Sequence, residues 1–263
     1  MIEQEGYTSM TENNMEKIIV ALDVSNKEEA LSLVRQLKDT KIFKVGLQLF
    51  TAEGPPLVQH LYDLGKNVFL DLKLHDIPNT VAGAVRMGVR MGVHMMTLHA
   101  SGGREMMASA ACAAKEEAER VGKNAPLLLA VTVLTSLKNK QLKDIGIPAD
   151  TKSQVLNLAG LALQAGVKGI VCSPKEIEII KKTYKKDLVV VAPGIRPKWA
   201  AAQDQKRILT PAQAVQKGAD YLVIGRPITQ ASSPHDAFLK IVDEIKNLES
   251  CNCAYKEDGT EDS

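Results

Sequence analysis

The sequence lacks several features that would point to whole classes of protein. Its 263 residues carry 33 Lys and Arg against 31 Asp and Glu, so there is no excess of positive charge of the kind that binds nucleic acid. Its four cysteines include no pair of CxxC units, which argues against a structural zinc site and suits a reducing compartment. No apolar run approaches the roughly 20 residues of a membrane-spanning helix.

The two ends of the chain show no hydrophobic periodicity. The first residues, MIEQEGYTSMTENN, are polar and acidic and lack the apolar core of a secretory signal, so we expect a cytoplasmic protein. We expect residues 1–15 and 250–263 to be flexible tails on a single catalytic domain at 16–249. With 45% hydrophobic and 24% charged residues, the composition is typical of a globular domain.

Between these tails, short β-branched runs alternate with stretches of helical periodicity. The runs are continuously apolar, which is typical of parallel strands buried on both faces. Eight β-then-α units in one domain of this length predict an α/β protein with a single (β/α)8 TIM barrel. The alternative is a doubly wound open sheet, but the first strand is not followed by a Gly-x-Gly-x-x-Gly turn. The predicted strands are 17–23, 42–46, 68–73, 93–99, 127–134, 169–172, 188–192 and 221–224, and the predicted helices include 57–64, 80–91, 153–165 and 237–248.

Charged residues gather at the predicted carboxyl ends of strands, where barrels of this kind carry their active sites. Asp71 and Lys73 are two residues apart on the third strand, so both side chains point to the barrel interior. Asp76 follows that strand, and Asp23 and Lys44 come from the first and second strands. Buried charges are costly unless they are paired or functional, so the pattern predicts either an ion-pair network or a catalytic cluster. Their position at strand ends favours catalysis.

A second feature indicates a phosphate site. Gly194 and Arg196 follow the seventh predicted strand, and Gly225 and Arg226 follow the eighth. Barrels often bind phosphate with these two loops, using backbone N–H groups and the forked donors of arginine. The alternative for either site is a turn that carries a solvated cation.

The histidines and acidic residues do not indicate a metal site. His75 and His99 each lie beside a predicted turn, where a lone histidine is more often a hydrogen-bonded structural residue than a base. No His, Asp and Glu trio has the spacing of metal ligands, so we predict no metal.

The residues from Phe69 to Thr80, FLDLKLHDIPNT, closely resemble the signature of the orotidine 5′-phosphate decarboxylase family, bacterial type. The core D-x-K-x-x-D alone is shared with related barrel enzymes that act on sugar phosphates, whereas the full set of segments is highly specific. The resemblance covers about residues 17–248. The other segments, in the family's order, are ALD at 21–23, FKVG at 43–46, HASGG at 99–103, LTS at 134–136, VCS at 171–173, APGIR at 192–196 and IGRPIT at 224–229.

This resemblance implies decarboxylation of orotidine 5′-phosphate to uridine 5′-phosphate, the last step of de novo pyrimidine synthesis, without metal or cofactor. Lys73 would donate the proton, Asp71 would lie near the substrate carboxylate, and Lys44 and Asp76 would complete an alternating charge network. A homodimer is also implied, because in the family the second aspartate of the motif reaches the partner's active site. Here that segment comprises Asp76, Ile77 and Thr80.

The resemblance further implies the substrate contacts. The signature stretch as a whole would surround the substrate, a second group would hold ribose and the pyrimidine ring, and a third would bind phosphate. The polar stretch 197–207 is the expected lid. The signature residues around the substrate are Asp71, Leu72, Lys73, Leu74, His75, Asp76, Ile77, Pro78, Asn79 and Thr80. Ribose would be held by Asp23 and Lys44, and the pyrimidine ring by Thr135 or Ser136. The phosphate residues would be Arg196, Gln205, Gly225 and Arg226.

Two rival functions stay open at this point. A related barrel decarboxylase or aldolase for sugar phosphates would use the same D-x-K-x-x-D motif with a divalent metal. A catalytically silent barrel that binds a phosphorylated ligand would keep the phosphate loops without using Lys73.

Overall fold

A computed structural model describes residues 14–200 and 209–257, with side chains as far as residue 247. Eight parallel strands form a closed barrel in sequence order, and the last strand pairs with the first. This confirms the predicted (β/α)8 barrel and excludes the open sheet. The strands are β1 Ile18–Ala21, β2 Ile42–Gly46, β3 Asn67–Leu74, β4 Met95–His99, β5 Leu127–Val131, β6 Gly169–Val171, β7 Val189–Pro193 and β8 Tyr221–Ile224.

Helices follow the strands around the outside of the barrel. Within the described part of the chain, no helix is long and apolar enough to cross a membrane. The α-helices are α1 Lys27–Gln36, α2 Leu47–Asp63, α3 Pro78–Met91, α4 Gly103–Val121, α5 Asn139–Asp144, α6 Thr151–Gln164, α7 Ile177–Tyr184, α8 Pro211–Gln216, α9 Arg226–Thr229 and α10 Pro234–Glu257, with short 3-10 turns at Ala100–Gly102 and Lys198–Ala200.

Local sequence signals explain where several helices begin. The Asn26 side chain accepts a hydrogen bond from the Glu29 N–H at the start of α1, and Asp150 accepts one from the Ser153 N–H at the start of α6. Helix α3 begins with Pro78, whose missing N–H costs nothing at a first helical turn. These local signals fix the starts of α1, α3 and α6.

The structure differs from the predicted helices in several places. Helix α2 begins at Leu47, directly after β2, and is interrupted by a kink at Gly54, where the backbone is not helical and φ is +62°. The two prolines that follow therefore stand at the start of its second half, where a proline is tolerated. The periodicity predicted only its second half, 57–64. Helix α10 continues beyond Leu248 to Glu257, and the short helix α5 was not predicted.

The core has two layers, and their arrangement positions the site. One side of each strand packs under the helices, while the other side fills the barrel interior. Because the interior cluster is apolar, the polar side chains near the strand ends lie above it. The interior cluster comprises Ile19, Ala21, Ile42, Phe69, Met95, Leu129, Val191 and Val223.

Candidate active site

A cavity of about 350 Å³ opens at the carboxyl ends of the barrel strands. Phe69 and Val223 of the interior cluster contribute to its apolar walls. Its polar lining comes from strands that are far apart in sequence. These polar or charged residues are Asp23, Lys44, Asp71, Lys73, Thr135, Arg196 and Arg226, with Gly225 beside them.

Four alternating charges form a chain of ion pairs along one wall of the cavity. Lys44 Nζ lies 3.1 Å from Asp23 Oδ1 and 3.6 Å from Asp71 Oδ2. Lys73 Nζ lies 2.9 Å from Asp71 Oδ1. Asp71 is buried, and its two carboxylate oxygens face different cations. The cluster predicted from the strand ends is thus brought together, apart from Asp76.

A bulge in β3 places Lys73. Its pairing with β4 shifts register between Leu70 and Leu74, and Lys73 has φ of +51°, a left-handed conformation that is unfavourable for a side chain other than glycine. Leu72 and Leu74 pack outward against the helix-side core, while Lys73 lines the cavity. The bulge thus keeps the ammonium beside Asp71 at a point where the regular ladder stops.

Thr97 on β4 is the polar neighbour that the sequence analysis missed. It is fully buried; its hydroxyl donates to Asp71 Oδ1 at 3.0 Å and accepts from the Lys73 N–H at 2.9 Å. A signal was present, because a lone threonine interrupts the apolar run Met95–Leu98 two residues before His99.

The segment after β3 points away from the cavity of its own chain. Asp76 is exposed, and its Oδ1 accepts a hydrogen bond of 2.6 Å from the Ile77 N–H. Ile77 is 66% exposed, an unusual environment for a large apolar side chain. Among the described residues of the predicted set, those that do not line the cavity are Leu72, Leu74, His75, Asp76, Ile77, Pro78, Asn79, Thr80 and Ser136.

The predicted phosphate residues that the structure describes line the same cavity, in the loops after β7 and β8. Arg196 follows Gly194, whose φ of +76° requires glycine, in the loop after β7. Gly225 and Arg226 follow β8, and Arg226 is the exposed first residue of α9. Gln205 and most of the predicted lid lie outside the described residues.

Two histidines stand beside the charge chain without joining it. The rings of His75 and His99 are 5.2 Å apart. Burial lowers the pKa of His99, and the nearby His75 and Lys73 lower it further, so the neutral form of its ring is favoured. That neither histidine acts as a base stays a prediction from the sequence.

Residues 16–241 match the sequence family described as orotidine 5′-phosphate decarboxylase / HUMPS family. The chain belongs to this family. It is 49% identical over 234 residues to an orotidine 5′-phosphate decarboxylase of Nostoc sp., covering 89% of this chain and 98% of the relative. It is 51% identical over 226 residues to that of Pasteurella multocida, covering 86% and 95%.

A solved structure supports the same membership. The crystal structure of orotidine 5′-phosphate decarboxylase from Lactobacillus acidophilus superposes with a TM-score of 0.78 at 35% identity, over 88% of this chain and 99% of that one. Across the described residues of this member of the orotidine 5′-phosphate decarboxylase family, no group of three or more His, Cys, Asp and Glu side chains is arranged to hold a metal ion.

Proposed function

We propose that this chain decarboxylates orotidine 5′-phosphate to uridine 5′-phosphate and CO2, the last step of de novo pyrimidine synthesis. Membership of the family supports the reaction, since the relatives carry the name of that activity. The observation that carries the proposal is the Lys73 ammonium, held 2.9 Å from Asp71 in the lining of a cavity that also contains two arginines.

The chemistry requires a fixed cation. When the carbon–carbon bond to the carboxylate breaks, CO2 leaves and its electron pair stays on the ring carbon. With no cofactor to delocalise that charge, a preorganised ammonium is the means of stabilising it. Lys73 then delivers a proton to the same carbon as general acid and regains one from solvent. The proposed scheme assigns no step to a metal or an organic cofactor.

Asp71 positions Lys73 in this scheme. Its Oδ1 accepts from both Lys73 Nζ and the Thr97 hydroxyl, so the carboxylate has little freedom to rotate. We also assign to its negative charge a place facing the substrate carboxylate, where the repulsion is relieved when CO2 leaves. Lys44 offsets the charge of Asp71 from the other side, at 3.6 Å.

The remaining lining residues hold the substrate. We assign Asp23 and Lys44 to the ribose hydroxyls and Thr135 to the pyrimidine ring. The support is that all three line a cavity whose volume suits a small ligand. Arg226, Arg196 and the Gly225 backbone bind phosphate, and we assign Gln205 to the same group. Because the phosphate is remote from the reacting carbon, its binding energy can hold the ring in place and drive closure of the 197–207 lid.

We further propose a homodimer in which Asp76 completes the partner's site. The support is that Asp76, Ile77 and Thr80 are exposed in one chain and lie off its own cavity, while Ile77 presents an apolar side chain. The cytoplasmic location stays a prediction from the sequence.

The test is an absorbance assay with orotidine 5′-phosphate on wild type and Lys73→Ala. We expect turnover by wild type and a loss of several orders of magnitude in the variant, which should still bind uridine 5′-phosphate because the phosphate and ribose contacts remain. Equal behaviour of the two proteins toward the substrate would instead support a silent binding barrel.

A further inference from the structure

We infer that Thr97 is a positioning residue for this reaction: its buried hydroxyl holds the Asp71 carboxylate and the Lys73 backbone in the geometry that aims the ammonium at the substrate. The inference rests on the proposed function. Thr97 is not part of the described cavity lining, so it acts through Asp71 and Lys73 rather than by touching substrate.

The direction of both hydrogen bonds is fixed by donor arithmetic. A threonine hydroxyl has one hydrogen to give and lone pairs to receive. The Lys73 N–H can only donate, so it occupies a lone pair of Thr97 Oγ1, at 2.9 Å. A carboxylate can only accept, so the single hydroxyl hydrogen goes to Asp71 Oδ1, at 3.0 Å. Neither bond can reverse, and the hydroxyl has one stable orientation.

The bulge explains why the hydroxyl is needed. Between Leu70 and Leu74 the ladder from β3 to β4 is broken, so the Lys73 N–H has lost its regular strand partner. A partly buried amide without a partner is costly, and a left-handed lysine persists only when its surroundings hold it there. The Thr97 hydroxyl replaces the missing ladder acceptor.

Lys73 is consequently held at both of its ends by one hydroxyl. Its backbone N–H bonds to Thr97 directly, and its Nζ bonds to Asp71 Oδ1, which the same Thr97 holds. Without the hydroxyl, Asp71 is free to turn toward Lys44, 3.6 Å from its other oxygen, and the Lys73 ammonium loses its anchor.

The experiment compares Thr97→Val, which keeps the side-chain shape without the hydroxyl, with Thr97→Ser, which keeps the hydroxyl. For orotidine 5′-phosphate we expect kcat to fall roughly 10- to 100-fold in Thr97→Val, the cost of a misplaced catalytic group. KM for orotidine 5′-phosphate and the affinity for uridine 5′-phosphate should not change, because Thr97 contacts neither nucleotide. Thr97→Ser should restore most of kcat. Thr97→Ala, which cannot overfill the site, is measured alongside and should behave like Thr97→Val.

Thr132→Val is the matched control. Thr132 is also a buried threonine whose hydroxyl donates a hydrogen bond, here to the Val171 carbonyl at 3.0 Å, but it does not contact Asp71 or Lys73. Loss of packing or of one buried hydrogen bond would lower stability in both Thr97→Val and Thr132→Val, whereas only Thr97→Val should lose kcat.

Wild-type kcat in Thr97→Val or Thr97→Ala, or equal losses in Thr97→Ser and Thr97→Val, would overturn the positioning role and leave the proposed function standing. If wild type itself fails to turn over the substrate, the proposed function falls instead. Crystal structures then decide the positioning: we expect the contact of 2.9 Å between Asp71 and Lys73 to be broken in Thr97→Val and kept in Thr97→Ser, and an unchanged contact in both would overturn it.

Discussion

At the scale of single residues, the charged groups of the cavity have different proposed tasks. Asp71 faces a different cation with each oxygen, so Lys73 and Lys44 are both held by the same carboxylate. The exposed Arg226, beside Gly225, lines the same cavity but takes no part in these ion pairs. We therefore expect that phosphate binding can be disturbed without disturbing Lys73.

Arg226→Ala should weaken phosphate binding without changing how the pyrimidine ring and ribose bind. A hydrogen bond to a charged group contributes about 1.5–3 kcal/mol, so the affinity for uridine 5′-phosphate should fall on the order of 10- to 100-fold. Calorimetric titration with uridine 5′-phosphate and with uridine measures this directly. Uridine, which has no phosphate, should bind both proteins alike, and Arg35→Ala, an exposed arginine in the last turn of α1, is the control. Equal losses for both ligands would argue against a phosphate contact.

At the scale of elements, the sequence predicted the barrel because each strand is a short apolar run bounded by polar residues. It also predicted the common face of Asp71 and Lys73, since a spacing of two is sufficient for that. It could not predict the bulge, because Lys73 adopts φ of +51° with no glycine or asparagine to announce it. The role of Thr97 depends on that bulge, so it too became visible only when β3 and β4 were placed side by side.

The ion pairs between helices α3 and α4, in the outer layer of the barrel, should make the stability of the protein depend on pH. Arg90 on α3 donates to Glu117 on α4 at 2.6 Å, and Arg120 donates to the same carboxylate. Hydrogen bonds from Arg120 and Arg90 lower the pKa of Glu117 from 4.5 to about 2. A lowered pKa in the folded state means that this stabilisation is complete above pH 4.5 and is lost as the pH falls toward 2.

We therefore expect Glu117→Gln to destabilise the protein more at about pH 6 than at about pH 2.5, because protonation of the wild-type carboxylate has begun to remove its stabilising effect at the lower pH. Urea unfolding of both proteins at the two pH values gives the difference in free energy of unfolding. Glu116→Gln is the control, since Glu116 is exposed and lies 3.5 Å from Arg86. If Glu117→Gln lowered the free energy of unfolding by the same amount at both pH values, that result would contradict a stabilising role of the ionised Glu117 carboxylate between α3 and α4.

At the scale of the whole molecule, the single chain leaves part of the predicted site unused. Asp76 and Ile77 are exposed and off the cavity, although the signature places them next to Asp71 and Lys73 in sequence. A two-fold dimer resolves this, because each chain can then give its Asp76 to the other. No single-chain property could predict the geometry of that exchange.

Mixing Lys73→Ala with Asp76→Ala tests the shared site. Each variant should be inactive alone, but a heterodimer contains one intact site, formed by Lys73 of one chain and Asp76 of the other. With random exchange half of the dimers are mixed, so activity should recover to about a quarter of the wild-type level. Absence of recovery after subunit exchange has been verified would show that Asp76 does not serve the partner.

In the proposed reaction, Lys73, fixed by Asp71, stabilises and protonates the carbanion left by orotidine 5′-phosphate without help from a metal. The most direct measurement follows the absorbance of orotidine 5′-phosphate with purified wild-type protein after exhaustive chelation. We expect full turnover in the presence of chelator, with no gain when divalent metal is added. Turnover that disappears on chelation and returns with a divalent metal would contradict it and favour a metal-dependent relative of the same barrel.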